Sequence, residues 1–399
     1  MIEFAPESEA YARMKVVGVG GAGGNAVNRM IEAGLTGVKF VSINTDKQAL
    51  DFSLANEKIQ IGKILTKGLG AGAVPEIGMK AAEENLDEIR AGVADADMVF
   101  VTAGMGGGTG TGAAPIVSRC AREQGALTVG IVSRPFRFEG DRRIARAEQG
   151  IAELRKNVDS LIIIPNEKLV KKLDPDTPFV ESFRRADEIL YWATKGIADL
   201  ITRCGLINLD FADVRTVMSE KGEALMGTGF AKGPNAAEEA ARLAIKSPLL
   251  DDIDISGARG VLVNITGGRK LTITNVSDAM ESVYAAVGGD ANIIFGAVID
   301  NNLTDEIYVT VVATGFGNHN EINYRTASNG VLFNDNGNNG GQKPKRRTPA
   351  YTERHIYQNL ANHDCSPEAL EKPAFERYRT ARQLGQVANP QDLNDQLLI

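Results

Sequence analysis

The sequence predicts an α/β protein: a Rossmann-like parallel-sheet domain, a long connecting helix, a second mixed α/β domain and a disordered C-terminal tail. Three observations predict it. From Lys15 onward, runs that are apolar throughout alternate with amphipathic helical segments, the pattern of a parallel sheet covered on both faces. A segment from Phe179 to Arg203 repeats its apolar positions at intervals of three and four, as one long helix requires. After Gly317 the chain turns to Asn, Gly and charged residues, too poor in apolar surface to offset the entropy of folding.

In chain order, KVVGVG is a strand, NAVNRMIEAG a helix and VKFVSIN a second strand. ADMVFVTA, GAAPIVSRCARE and ALTVGIV repeat the strand–helix–strand unit. RRIARAEQGIAELRKN follows as a helix and DSLIIIP as a strand. The long helix then carries Phe183, Ala186, Ile189, Leu190, Ala193, Ile197 and Leu200 on one stripe. Beyond Gly222, the helical AAEEAARLAI precedes strands GVLVNIT, NIIFGAVID and EIYVTVVATG.

Bulk composition narrows the function. The 399 residues carry a formal net charge of −7, which argues against nucleic acid or an anionic membrane as the main partner. From Gly317 the tail holds 10 Lys or Arg and 9 Asp or Glu, a net of +1, leaving −8 on the folded part. Cys120, Cys204 and Cys365 have neither disulfide nor metal-ligand spacing, as expected of a reducing cytosol. The start MIEFAPESEAYARMK lacks the order of a signal peptide, and no apolar run has membrane-spanning length. All three histidines, His319, His355 and His363, lie in the tail. Histidine-based nucleophilic catalysis and His-ligated metals are thereby excluded from the folded part.

Two glycine-rich loops carry the chemistry. Gly18-Val-Gly20-Gly-Ala-Gly23 lies between a strand and a helix, and Asp46 follows the second strand, close to a dinucleotide fingerprint. By itself this fits an NAD-dependent enzyme or a turn that binds nothing. The second loop, GMGGGTGTG from Gly104 to Gly112, is another strand-to-helix turn in the same sheet. Two sets of backbone N–H donors at one crevice suit a triphosphate better than a dinucleotide, and the hydroxyls of Thr109 and Thr111 could add to them. No G-x-x-x-x-G-K-[ST] occurs, so the loop is not of the Walker type.

These residues resemble a known family. GGGTGTG looks like the signature of the tubulin superfamily. With VGVGGAGGNAVN, INTD, TKGLGAGAVPEIG, RPFRFEG and NLDFADVRTVMS, the chain from Lys15 to Gly317 closely resembles the FtsZ family of bacterial cell-division GTPases. The resemblance implies GTP or GDP as ligand, with Mg²⁺ held mainly by phosphates and water. Gly21, Ala22, Gly23, Gly24 and Asn25 would form the first phosphate loop, and Gly107, Gly108, Thr109 and Gly110 the second. Ala71 and Gly72 would form a third loop near the γ-phosphate, with Val74 where the family often has asparagine. Glu139 and Arg143 would meet ribose and phosphates, and Asn166 and Asp187 the base. A carboxylate suits the adjacent N1–H and N2–H₂ donors of guanine. Phe183, one turn before Asp187, would stack on the base or else belong to the core.

The candidate catalytic groups are Asn208, Asp210 and Asp213, just after the long helix. Both Asp residues also fit a helix cap or first-turn role. The helix places them some 35 Å from its other end, too far to reach the γ-phosphate of their own chain. The resemblance implies that the loop enters the pocket of the next subunit in a head-to-tail filament and orients the attacking water there. Phosphoryl transfer needs mainly positioning and charge stabilisation, so it runs without histidine. A tubulin-like filament of another role, such as plasmid segregation, shares this chemistry but not the NLDFADV loop or the tail peptide.

The organisation expected is a flexible N-terminus (1–14), a GTP-binding domain (15–178), the connecting helix (179–203) and a catalytic loop with its helix (204–222). A polymerisation domain (223–316), a disordered linker (317–365) and an adaptor-binding peptide with terminal extension (366–399) follow. Partners implied are copies of the chain and membrane-tethering or regulatory division proteins docking on LEKPAFERYR, with neither nucleic acid nor direct membrane insertion. The place implied is the cytoplasm at the division site, beneath the inner membrane. Tyr191 and Trp192 read as packing residues.

Overall fold

The computed structural model describes residues 12–170, 176–202, 207, 209–220, 223–247, 249–250, 255–288, 291–301 and 303–316. The expected disordered tail, the adaptor peptide, the three histidines and Asn208 lie outside the described residues.

The N-terminal half runs β1 (Met14–Val19), α1 (Gly20–Glu32), β2 (Val38–Asn44), α2 (Lys47–Asp51), β3 (Glu57–Gln60), α3 (Lys63–Thr66), α4 (Pro75–Glu84) and α5 (Leu86–Val93). It continues with β4 (Met98–Gly104), α6 (Thr109–Glu123), β5 (Leu127–Arg134), α7 (Asp141–Asn157), β6 (Ser160–Pro165) and α8 (Asn166–Val170). The long helix α9 covers Phe179–Thr202, and α10 covers Phe211–Met218. The rest is β7 (Glu223–Lys232), α11 (Ala236–Ile245), β8 (Gly260–Gly267), α12 (Ile273–Val287), β9 (Asn292–Ile299) and β10 (Glu306–Thr314).

Strand order is β3-β2-β1-β4-β5-β6-β7-β10-β8-β9. All pairs from β3 to β6 are parallel. The second half is mixed: β10 lies antiparallel between β7 and β8, and β9 is parallel to β8. The two halves share one sheet, because β7 pairs with β6 at Leu161↔Glu223 and Ile162↔Ala224. The parallel strands are buried on both faces, as their unbroken apolar runs predict: Val16 to Val19 and Met98 to Ala103 are almost wholly inaccessible.

The structure adds elements that periodicity does not reveal. β7 contains Gly227 and Gly229, which break its strand signal; they lie where the Ala244 and Ala240 carbonyls of α11 press against the strand. α1 begins at Gly20, ahead of the expected NAVNRMIEAG, because its first turns are glycine and carry no helical propensity. On α9, Ala186, Leu190, Ala193, Ile197 and Leu200 are buried, whereas Phe183 is 37% exposed and stands off the core.

Candidate functional site

Both glycine loops follow the carboxyl ends of the paired strands β1 and β4, the position of the crevice in which a parallel sheet commonly receives its ligand. β1 runs directly into α1, whose N-cap position is Val19 and has no side-chain cap. β4 runs through the second loop into α6, whose N-cap position, Gly108, is likewise without one. Both helices therefore present uncapped N–H groups and positive dipole ends.

Most glycines here serve the approach of the chain to itself. A Cβ on Gly18 would sit 2.5 Å from the Gly23 carbonyl oxygen, and one on Gly20 would sit 2.8 Å from the Gly110 nitrogen. One on Gly108 would sit 2.8 Å from the Ala71 Cβ, and one on Gly104 would sit 2.6 Å from that of Ala22. The two phosphate-loop candidates thus touch through Gly20 and Gly110, and the third joins them through Ala71 and Gly108. Gly23 packs on the Thr102 carbonyl, and Gly24 is in ordinary contact with the Ser42 hydroxyl.

Gly21 and Gly107 behave differently. A Cβ on either would meet nothing within 4 Å, and neither has positive φ. Among the described glycines that face open space, the others, Gly34, Gly72, Gly125, Gly140, Gly233 and Gly288, all have positive φ, which by itself selects glycine. Gly21 and Gly107, one on each loop, have no reason within the chain to lack a side chain. A close-lying ligand supplies one. Asn25 is exposed beside them at the start of α1.

The hydroxyls take specific roles. Thr111 Oγ1 accepts from the Gly106 N–H at 2.8 Å and so braces the loop, while its own O–H remains a donor. Thr109 and Thr45 hydroxyls, both buried, are 2.6 Å apart. Asp46, the acid of the dinucleotide-like pattern, accepts from Gln48 and Ala49 N–H groups as the cap of α2. Its carboxylate is thus occupied, which removes the feature that favoured NAD.

At the other end of the crevice, Asn166 opens α8 just beyond β6. It is 6% exposed, and its Oδ1 has no hydrogen-bond partner, a costly state that a ligand donor would relieve. Asp187, on α9, has its carboxyl pushed up to about 6 by burial, against a smaller downward pull from Arg29. Phe183, one turn earlier, meets the Phe136 ring edge-on at 5.1 Å, and Phe136 stacks on Phe138 at 5.0 Å. Glu139 accepts from the Phe136 N–H at 2.9 Å and pairs with Arg143 Nε at 3.1 Å. The acid and base are therefore held against each other beside these rings.

Asp210 and Asp213 are not in this crevice. Asp210 occupies the N-cap position of α10 without forming the side-chain cap, and Asp213 sits exposed in the first turn. Neither carboxylate has a partner among the described residues, so the capping explanation does not hold for Asp210. Arg215, on the same helix, donates to the Asp97 and Gly125 carbonyls, each at 3.4 Å. Those carbonyls precede β4 and β5, so α10 lies at the amino ends of strands whose carboxyl ends form the crevice. β4 alone, at seven residues, spans about 20 Å. Ile207, just ahead of the acids, bridges Ala297 on β9.

Sequence reasoning passed over Thr45, visible only as part of INTD, and Phe136, whose ring joins α9 to the end of β5. Among the described residues, no group of three or more His, Cys, Asp or Glu could hold a metal ion.

Comparison with known proteins supplies the remaining observations. A model of the Tubulin/FtsZ family, GTPase domain, matches residues 13–174, and one of the FtsZ family, C-terminal domain, matches residues 222–317. Among solved structures, an empty FtsZ dimer of M. jannaschii is similar at 46% identity, with a TM-score of 0.74 over 77% of this chain and 89% of that one. A GTPγS-bound protofilament of CetZ2 from Haloferax volcanii is similar in fold at 20% identity and a TM-score of 0.65, over 77% and 94% of the two chains. A GDP-bound CetZ1 monomer of that organism gives 20% and 0.67, over 77% and 95%.

Proposed function

Because the chain belongs to the tubulin/FtsZ family of GTPases, we propose that it polymerises head to tail and forms the ring at which a cell divides. GTP lies with its phosphates against the N–H groups of Gly21 to Asn25 and Gly107 to Gly110. Its guanine lies between Asn166, Asp187 and Phe183. Glu139 and Arg143 border the ribose, and Ala71 and Gly72 approach the terminal phosphate. The Asn166 Oδ1 and the Asp187 carboxylate accept from the base. Mg²⁺, when bound, would supply charge neutralisation at the phosphate oxygens.

Hydrolysis is completed between chains. Asp210 and Asp213 lie at the far end of the sheet with no side-chain partner among the described residues, and that placement is the observation that carries the proposal. In a head-to-tail contact they enter the neighbour's crevice with Asn208 and orient the attacking water against the terminal phosphate. A heterologous contact that does not close produces an open filament. The M. jannaschii relative is a dimer and the CetZ2 relative a protofilament, both consistent with self-association. The tail peptide around Phe375 docks membrane-tethering and regulatory division proteins, which places the filament at the division site. No described helix is long and apolar enough to cross a membrane.

GTP turnover per chain, measured against protein concentration with pelleting in parallel, tests the shared site. Turnover is expected to collapse below a threshold concentration that coincides with the loss of pelletable polymer. Turnover per chain that persists unchanged in dilute monomer overturns the proposal.

A further inference from the structure

Thr45 stands between the second and third glycine loops, outside the residues that would touch nucleotide. It is wholly buried between β2 and α2, with its hydroxyl 2.6 Å from that of Thr109, the first residue of α6. Thr66 Oγ1 lies 3.3 Å from the Thr45 carbonyl oxygen and 3.0 Å from that of Gly62, so its one proton is shared between them, and Thr66 is the last residue before the Lys67–Val74 loop. The same stretch is fastened twice more. Asp46 bridges Leu69, and the Lys47 N–H donates to the Gly68 carbonyl at 3.1 Å.

That loop needs external fastening. Lys67, Gly68, Gly70, Gly72 and Ala73 all have positive φ, and two of them carry a Cβ that disfavours this conformation. Strand order also locates the loop. The base candidates lie at β6 and α9, the two phosphate loops at β4 and β1, and the third loop beyond β2 and β3, farthest from the base. A nucleotide stretched along this crevice brings its terminal phosphate there.

Hydroxyl chemistry gives the contact a direction. If Thr45 donates to Thr109, the Thr109 hydroxyl keeps its own proton for an anion; if Thr109 donates, it turns a lone pair to the anion. Only the first arrangement favours a phosphate. We propose that Thr45 is a positioning residue that orients the Thr109 hydroxyl and braces the third loop, and so sets the preference of the site for GTP over GDP. This rests on the reading that the crevice binds guanine nucleotide.

Titration calorimetry of the full chain, below its pelleting concentration, with GDP and with a β,γ-methylene analogue of GTP, tests it. Wild type is expected to bind both. Thr45→Val keeps the shape and removes the hydroxyl. It is expected to weaken the analogue about fivefold, the usual worth of one hydrogen bond, and to leave GDP within about twofold by the same reckoning. Thr45→Ser is expected to restore the difference. Equal weakening of both nucleotides, or of neither, overturns the inference. Wild type that binds neither overturns the nucleotide site itself, a separate result. Should Thr45→Val lack a cooperative thermal transition, Thr66→Val removes the other hydroxyl of the brace, with the same expectation and the same overturning results.

Discussion

Asp187 makes the guanine reading testable through pH. Burial pushes its carboxyl from 3.8 up to about 6, with Arg29 offsetting only part of the shift. Guanine offers two adjacent donors, N1–H and N2–H₂, which the ionised carboxylate accepts and the protonated one does not. With a value near 6, about nine-tenths of the empty sites are ionised at pH 7 and about one-tenth at pH 5. Affinity is therefore expected to fall about tenfold over that interval. Near pH 6, binding should release about half a proton, because guanine favours the charged form. The sign for the empty protein is opposite. Its folded value lies above the unfolded one, so this group disfavours the fold increasingly as pH rises from 3.8 to about 6.

Calorimetry with GDP between pH 5 and 7, for wild type and Asp187→Asn, measures the effect. The phosphates titrate in the same window, so the ratio of the two affinities is the quantity to follow. The variant presents an amide donor toward guanine donors and is expected to bind about a hundredfold more weakly at pH 7. The ratio should shrink about tenfold by pH 5. A ratio that stays constant with pH, or a variant that binds as wild type does, refutes the assignment of Asp187 to the base.

Two further expectations concern the loops and the acids. Gly107→Ala meets no atom of the chain, so its melting temperature should stay within about 2 °C of wild type while GDP affinity falls at least roughly tenfold. In contrast, Gly110→Ala drives a Cβ to 2.7 Å from the Gly104 carbonyl oxygen and should cost about 1–3 kcal/mol of stability, read by denaturant unfolding. Asp213→Ala should bind GTP and pellet as wild type does, yet hydrolyse roughly a hundredfold more slowly. Loss of nucleotide affinity instead would place Asp213 in its own crevice. Mixing it with Gly107→Ala tests whether the two half-sites come from different chains, since turnover should recover only where the intact halves meet.

The sequence by itself determined the fold class and the position of the glycine loops. Apolar runs such as Met98 to Ala103 are legible because burial on both faces leaves no room for polar residues. The GMGGGTGTG loop is legible because so many glycines in sequence have few other uses. Elements whose residues answer to a neighbour were not legible. β7 carries Gly227 and Gly229 for the sake of α11, and α1 starts in glycines that local propensity assigns to a loop. Tertiary structure alone decided which glycines serve the chain and which face a ligand, since Gly20 and Gly21 are adjacent and differ only in what surrounds them. It also separated Asp46, committed to a helix cap, from Asp210, which sits at a cap position without filling it. The physical reason is that a side chain's role depends on the partners brought to it across the fold, and a linear pattern does not contain those distances.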